Sequence, residues 1–302
     1  MNENYIELRQ RRDLGDIITV YFDFFKQNLK SFTNIFISYN GIFILLILLS
    51  SYLLVTGFIG AFNSSGPDSD ANLYIGLGAI LFFLVFIVIA ALNYSLASSY
   101  MIKYTEHQKV ITDRKIVWNF IKDNLGSIFL FILLIVFIYF AFMIVSVILA
   151  FIPLLGTLTQ YVIQFWITSW IGVSFMVMLN ENKGVTDSLG EGWDLVKSNF
   201  WKCVGVNFIL GLLIGILLLL LLTIPGVLVG FYSFHIVENG TVIAESAVAK
   251  IIYTFSLCIF LVILAYSQSI SQFVNGILYF SLHEQKYNVK TRERIDQIGT
   301  GE

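Results

Sequence analysis

The chain has 302 residues, of which 57% are hydrophobic and only 13% are charged, and its formal net charge at pH 7 is −2. A soluble domain usually carries about 25% charged residues. This composition therefore excludes an ordinary soluble domain and indicates an integral membrane protein.

Six apolar segments follow one another along the chain, and each is long enough to cross a bilayer as a helix, which takes about 20 residues. Their predicted bounds are roughly 33–61, 73–102, 126–151, 157–179, 203–232 and 250–281. Segment 124–180 contains no Asp, Glu, Lys or Arg and is too long for one span, and Pro153 and Gly156 predict a break within it. The first forty residues lack a short apolar core with a small-residue cleavage site, so we expect no cleavable signal peptide.

The basic residues predict the orientation. All but one of the 18 lie before span one, between spans two and three, between spans four and five, or after span six, and the exception is Lys250. Because cytoplasmic loops are enriched in Lys and Arg, both termini are expected in the cytoplasm, with the chain in a bacterial inner membrane.

One sequence motif, which we call the repeated phrase, occurs three times along the chain, each time before an odd-numbered span. The copies read VYFDFFKQNLKS from Val20, IVWNFIKDNLGS from Ile116 and EGWDLVKSNFWK from Glu191. Aligned positions hold an aromatic residue, a lysine and an asparagine, which we interpret as membrane-interface anchors. The anchors are Phe22, Lys26 and Asn28 in the first copy, Trp118, Lys122 and Asn124 in the second, and Trp193, Lys197 and Asn199 in the third.

The repeated phrase predicts the fold class. We expect an all-α polytopic membrane protein whose six transmembrane helices form three parallel repeats, each an interfacial amphipathic helix plus a helical hairpin. The predicted single membrane domain covers 1–302. Its repeats lie at about 13–109, 113–183 and 187–286, and a cytoplasmic tail follows at 287–302.

The spacing of apolar and charged residues within the repeated phrase also predicts its local structure. Apolar residues at helical intervals, with charged residues on the other side, are typical of a helix that lies in the membrane interface. The asparagine stands where the chain turns into the lipid, so its side chain is expected to cap freed backbone groups. We favour the interpretation that the repeated phrase is a structural anchor. The alternative is a collar of three surface helices that docks a partner or senses anionic lipid.

Residues 170–201 carry a resemblance to a known family. Glu181, Ser188 and the run from Trp193 to Trp201 match its pattern, although Ser188 lies five residues before the tryptophan rather than beside it. The segment resembles the membrane domain that accompanies some glycerophosphoryl diester phosphodiesterases, and related stand-alone bacterial membrane proteins. The segment that begins at Thr223, with Pro225 and Gly226, resembles that family's Pro-Gly span. The likeness implies a six-helix membrane domain, and no residues are left over for the phosphodiesterase catalytic domain.

Motifs for chemistry are not found in the sequence. His107, His235 and His283 are isolated, and Cys203 and Cys258 fall in or beside apolar spans. There is no phosphate loop, nucleotide fingerprint or nucleophile elbow. We therefore expect no catalytic residue, no metal, no cofactor and no enzymatic activity.

Polar side chains inside two spans can be interpreted in two ways. Interhelical hydrogen bonding is favoured, since inward-facing amides commonly join membrane helices. The alternative is a polar cavity for a neutral or lipid-like substrate. The residues concerned are Gln160, Gln164 and Thr168 in span four, and Gln268, Gln272 and Asn275 in span six.

Three functions are compatible with this sequence. The first is a non-enzymatic scaffold or subunit of a cell-envelope membrane complex. The second is a transporter or binder of a neutral or lipid-like substrate, and the third is an enzyme that acts on lipid. We expect membrane lipids as partners, protein partners through the cytoplasmic interfacial helices, and no nucleic acid.

Overall fold

The computed structural model describes residues 5–63, 69–238, 246–290, 292 and 295. Within these residues the chain is all-helical and contains eight α-helices. They are α1 Leu14–Asn63, α2 Ser69–His107, α3 Arg114–Asp123, α4 Leu125–Ala150, α5 Leu155–Glu181, α6 Val185–Lys197, α7 Phe200–Glu238 and α8 Ala247–Tyr287. Of the predicted tail at 287–302, the part beyond 290 lies outside the described residues except for 292 and 295.

Six of the helices are long and apolar enough to cross a membrane: α1, α2, α4, α5, α7 and α8. Each overlaps one predicted span, although α1 begins at Leu14, well before the predicted start of span one at about 33, and the six helices are consistent with a multi-pass membrane protein. The prediction of an all-α fold with six apolar helices is confirmed. The three parallel repeats and the interfacial position of the short helices stay predictions.

The chain divides into two compact units. Unit 1 consists of the described parts of 1–34, 94–212 and 269–302, and unit 2 consists of the described parts of 35–93 and 213–268. Helices α3 to α6 belong to unit 1, and the other four helices contribute residues to both units. The single membrane domain with three repeats stays a prediction.

An aromatic cluster forms much of the core of unit 1. Phe24, Phe32, Tyr100, Tyr104 and Phe273 are all buried. The rings of Phe32 and Phe273 meet edge to face with centroids 4.7 Å apart, and those of Phe24 and Tyr104 do so at 5.0 Å. Edge-to-face pairs add to the stability gained by burying the rings, so this cluster ties α1, α2 and α8 together within unit 1.

The core of unit 2 is aliphatic and contains two buried asparagines. Asn40 of α1 donates its amide to the side-chain oxygen of Asn93 at 3.1 Å, and Asn93 donates to the carbonyl of Ala265 at 2.7 Å. The buried apolar cluster of this unit comprises Ile47, Val85, Ile89, Cys258, Leu261 and Ala265. The hydrogen bonds and the cluster both join α1, α2 and α8.

The turn between α4 and α5 lies where Pro153 and Gly156 predicted a break. Leu154 has a φ of 59° and a ψ of −62°, and the backbone N–H of Leu155 donates to the carbonyl of Pro153 at 2.7 Å, so the chain reverses through a γ-turn centred on Leu154. A Cβ on Gly156 would lie 2.0 Å from the carbonyl oxygen of Leu149. Only glycine fits this close approach without a shift of the backbone.

Candidate functional site

The three asparagines of the repeated phrase make the same hydrogen bond in every copy. Each donates its side-chain amide to the backbone carbonyl oxygen four residues earlier. The N···O distances are 2.8 Å for Asn28, 2.9 Å for Asn124 and 3.0 Å for Asn199. The likeness of the three copies in sequence is thus matched by the likeness of this contact.

In the second copy, this hydrogen bond lies at the junction of α3 and α4. The backbone N–H of Asn124 donates to the carbonyl of Ile121 at 3.1 Å, in place of the carbonyl of Phe120 that a continuous α-helix would use. The Phe120 carbonyl then accepts the Asn124 side chain instead. The asparagine therefore satisfies a backbone acceptor that the helix break would otherwise leave free.

The third copy repeats this arrangement at the end of α6. The backbone N–H of Asn199 donates to the carbonyl of Val196 at 3.1 Å, and its side chain donates to the carbonyl of Leu195. The next helix, α7, begins directly afterwards at Phe200. Asn124 and Asn199 accordingly play the same part at two separate helix junctions.

The first copy differs from the expectation, because α1 passes through Asn28 without a turn. The residue before the asparagine is Gln27 here, whereas it is Asp123 or Ser198 in the other copies. Glutamine is a better helix former than aspartate or serine, which favours continuation. Asn28 is also fully buried and accepts a hydrogen bond of 2.7 Å from the hydroxyl of Tyr100, so it holds α1 against α2.

The aromatic and lysine positions of the phrase differ in their surroundings. Phe22 is 45% exposed, whereas Trp118 and Trp193 are half-buried. The Trp193 ring meets those of Trp166 and Trp170 edge to face, at centroid distances of 4.6 and 5.2 Å. The three lysines are exposed in every copy, at Lys26, Lys122 and Lys197.

A network of buried amides and hydroxyls joins four helices inside unit 1. Gln272 of α8 donates to the hydroxyl of Ser98 in α2 at 2.8 Å and accepts from Asn275 at 3.4 Å. Asn207 of α7 donates to Asn275 at 3.3 Å and to Ser169 of α5 at 2.7 Å. All five side chains are buried. Each contact is direct, so the network links α2, α5, α7 and α8.

The polar residues noted in spans four and six have different surroundings in the structure. Gln272 and Asn275 enter the buried network of unit 1. Gln164 is exposed, and the hydroxyl of Thr168 donates to its backbone carbonyl at 2.9 Å. Gln160 is half-buried on α5. Gln268 belongs to unit 2, and its side-chain oxygen is buried without a hydrogen-bond partner within the described part of the chain.

A charged cluster in unit 1 brings together the end of α5, the middle of α6 and the end of α8. We define it as the carboxylate cluster, with Glu191 and Glu181 at its centre. Glu191 accepts 2.9 Å and 2.5 Å hydrogen bonds from Lys286 and Tyr287, and Lys183 lies 3.7 Å from it. Glu181 pairs with Lys183 at 2.7 Å, which connects the two carboxylates.

Two further side chains of α8 contact Glu181. The hydroxyl of Tyr279 donates to it at 2.9 Å, and Nε2 of His283 lies 3.3 Å away. These contacts connect Tyr279 and His283 of α8 to the carboxylate cluster. Within the described parts of the chain, no three His, Cys, Asp or Glu side chains form a group that could hold a metal ion.

The carboxylate cluster shifts the titration of its members. Burial raises the pKa of the Glu191 carboxyl, but the hydrogen bonds from Tyr287 and Lys286 outweigh burial and hold that pKa below its ordinary value of 4.5. The hydrogen bond to Glu181 raises the pKa of the Lys183 ammonium group. Both groups are therefore stabilised in their charged forms near neutral pH.

The sequence pointed to Glu181 through the family resemblance of residues 170–201 but did not single out Glu191, Lys286 or Tyr287. Glu191 precedes the third aromatic anchor by two residues, so the repeated phrase contained the only available signal. Its partners on α8 lie 95 and 96 positions away, and one sequence cannot show such a pairing.

Comparisons with protein-family models, with curated proteins and with solved structures found no match.

Proposed function

We propose that this chain is a non-enzymatic, multi-pass protein of a bacterial inner membrane that serves as a scaffold or subunit of a cell-envelope complex. Both termini would lie in the cytoplasm, as the distribution of basic residues predicts. The resemblance of residues 170–201 to the membrane domain of some glycerophosphoryl diester phosphodiesterases agrees with such a membrane-domain role.

The observation that carries this proposal is the close packing of unit 1 around its buried polar network. A Cβ on Gly172 would lie 2.3 Å from the amide nitrogen of Asn275, and one on Gly276 would lie 2.3 Å from the sulfur of Met101. Small residues let membrane helices approach closely, and polar side chains then bond across them. This arrangement favours a rigid platform over a substrate cavity.

Exposed lysines of the repeated phrase supply a surface for a partner. Within the described residues, Lys26, Lys122 and Lys197 take part in no ion pair. Side chains of this kind affect association with a charged partner while contributing little to folding. We infer that the three lysines help to dock an acidic partner protein on the cytoplasmic side.

The test compares complexes from native membranes. The tagged protein is extracted in mild detergent, and its assemblies are measured by native mass spectrometry. The variant carries Lys122→Glu and Lys197→Glu, and the matched control carries Lys109→Glu and Lys115→Glu, which alter exposed lysines outside the aligned positions. We expect a partner of fixed stoichiometry that is lost from the variant and retained by the control.

Two results would contradict the scaffold role. One is a protein that emerges from native membranes without any partner. The other is substrate uptake by proteoliposomes that Gln272→Leu abolishes while the protein still folds, because this would assign the buried network to a transport path.

A further inference from the structure

Unit 2 contains an apolar groove between α1 and α8, which we call the outer groove. Its volume is about 560 Å³, within the range of about 300 to 1,000 Å³ that is common for ligand sites. Nine residues line it: Leu45, Leu48, Leu49, Tyr52, Ala247, Lys250, Ile251, Thr254 and Phe255.

The two walls of the outer groove are formed by residues of α1 and of α8 that recur at helical spacing. The α1 residues lie at positions i, i+3, i+4 and i+7, which share one face of a helix. The α8 residues from Lys250 to Phe255 likewise repeat after four positions. Leu45 is 61% exposed and Phe255 is 53% exposed. Because both lie on apolar helices long enough to cross a membrane, this groove can contact acyl chains of the bilayer.

Two polar groups distinguish the outer groove from an ordinary lipid-facing surface. Lys250 is the single basic residue outside the segments predicted to be cytoplasmic, and it forms no ion pair with another described residue. Thr254, one turn further along α8, is 5% exposed, and its hydroxyl has no hydrogen-bond partner within the described residues. A buried hydroxyl without a partner calls for an explanation.

We propose that the outer groove binds one anionic phospholipid. An acyl chain lies against Leu45, Leu49 and Phe255, and the phosphate group pairs with the ammonium group of Lys250. The Coulomb attraction favours an anionic headgroup over a zwitterionic one, while the apolar walls bind both kinds of chain. This inference goes beyond the scaffold role and does not depend on it.

The test measures lipid binding by native mass spectrometry of delipidated protein in detergent. Phosphatidylglycerol is compared with phosphatidylcholine of identical acyl chains. We expect the wild type to prefer phosphatidylglycerol, and Lys250→Gln to weaken its binding about fivefold with little change for phosphatidylcholine. Lys250→Arg should keep the preference, and Leu49→Trp, which fills the groove, should weaken the binding of both lipids.

The matched control is Lys115→Gln, which removes an exposed lysine of α3 in unit 1 and should leave both affinities unchanged. The proposal is overturned if the wild type binds the two lipids equally, or if Lys250→Gln keeps the full preference. It is also overturned if a second copy of the chain, and no lipid, is displaced by Leu49→Trp.

Discussion

At the scale of single residues, Glu191 shows how one carboxylate in the middle of α6 binds the end of another helix. Its side chain is 15% exposed, and its two closest partners, Lys286 and Tyr287, come from another helix. Charge-assisted hydrogen bonds of this kind are stronger than neutral ones. Since the pKa of Glu191 is lowered, the folded state favours its ionised form.

We predict that Glu191→Gln destabilises the protein by about 1.5 kcal/mol at pH 7, the low end of the range for hydrogen bonds to charged groups, because the lysine partners are partly exposed. A carboxyl group with a lowered folded-state pKa stabilises fully above its ordinary pKa of 4.5 and ceases to do so as the pH falls through the lowered value. The difference in Tm between wild type and variant should therefore be constant from about pH 7 to 5 and shrink below 4.5.

The measurement is thermal unfolding in detergent as a function of pH. Glu106→Gln is the control, because Glu106 is exposed and makes a surface pair with Lys103 that contributes little. A Tm difference between wild type and Glu191→Gln that persists unchanged at pH 3 would show that the charge of Glu191 is not what stabilises the cluster.

At the scale of helices, the sequence predicted more than the position of the spans. The apolar run at 126–151 corresponds to α4, Leu125–Ala150, and the proline and glycine after it predicted the turn. The sequence failed at Asn28, where a turn was expected and α1 continues. Gln27 is a better helix former than Asp123 or Ser198, which stand before the asparagine in the other two copies, so α1 can continue where those helices end.

The contacts between helices could not be predicted in the same way. The buried network joins Ser98 to Gln272 and Asn207 to Asn275, pairs separated by 174 and 68 positions. Helical periodicity indicates which face of a helix is polar, but it does not identify the opposing helix. The polar residues noted in spans four and six show this limit, since Gln272 enters the network whereas Gln164 is exposed.

The helix junctions give a prediction at this scale. Asn124→Ala and Asn199→Ala each remove the donor to one freed carbonyl, so each should cost about 1 kcal/mol. Asn28→Ala should cost more, about 1 to 3 kcal/mol, because it also leaves the buried hydroxyl of Tyr100 without its acceptor. The free energies of unfolding would be compared in detergent by denaturant titration.

Asn119→Ala is the matched control for these variants, because Asn119 is an exposed asparagine of α3 at another position of the phrase. It should have little effect on the free energy of unfolding. If Asn28→Ala proved as mild as this control while Asn124→Ala remained costly, the hydrogen bond to Tyr100 would not be holding α1 and α2 together.

At the scale of the whole molecule, the distribution of basic residues predicts which ends of the six apolar helices face the cytoplasm. Composition predicted an integral membrane protein and the six apolar segments predicted a multi-pass one, and the six long helices agree with both. The basic residues predict the orientation, because all of them except Lys250 lie in the segments predicted to be cytoplasmic. Lys109 lies just after α2 on that side, and Asn72 lies near the opposite end of the same helix.

Cysteine labelling tests this orientation. Asn72→Cys and Lys109→Cys would be introduced singly into a chain that also carries Cys203→Ala and Cys258→Ala. Both sites are exposed, whereas the native cysteines are buried. We expect an impermeant maleimide to label Asn72→Cys in intact spheroplasts and to label Lys109→Cys only after the membrane is permeabilised. The cysteine-free chain is the control for background. The opposite labelling pattern would place both termini outside the cytoplasm, and the proposed docking of a partner on the three exposed lysines would then have to occur on the outer side.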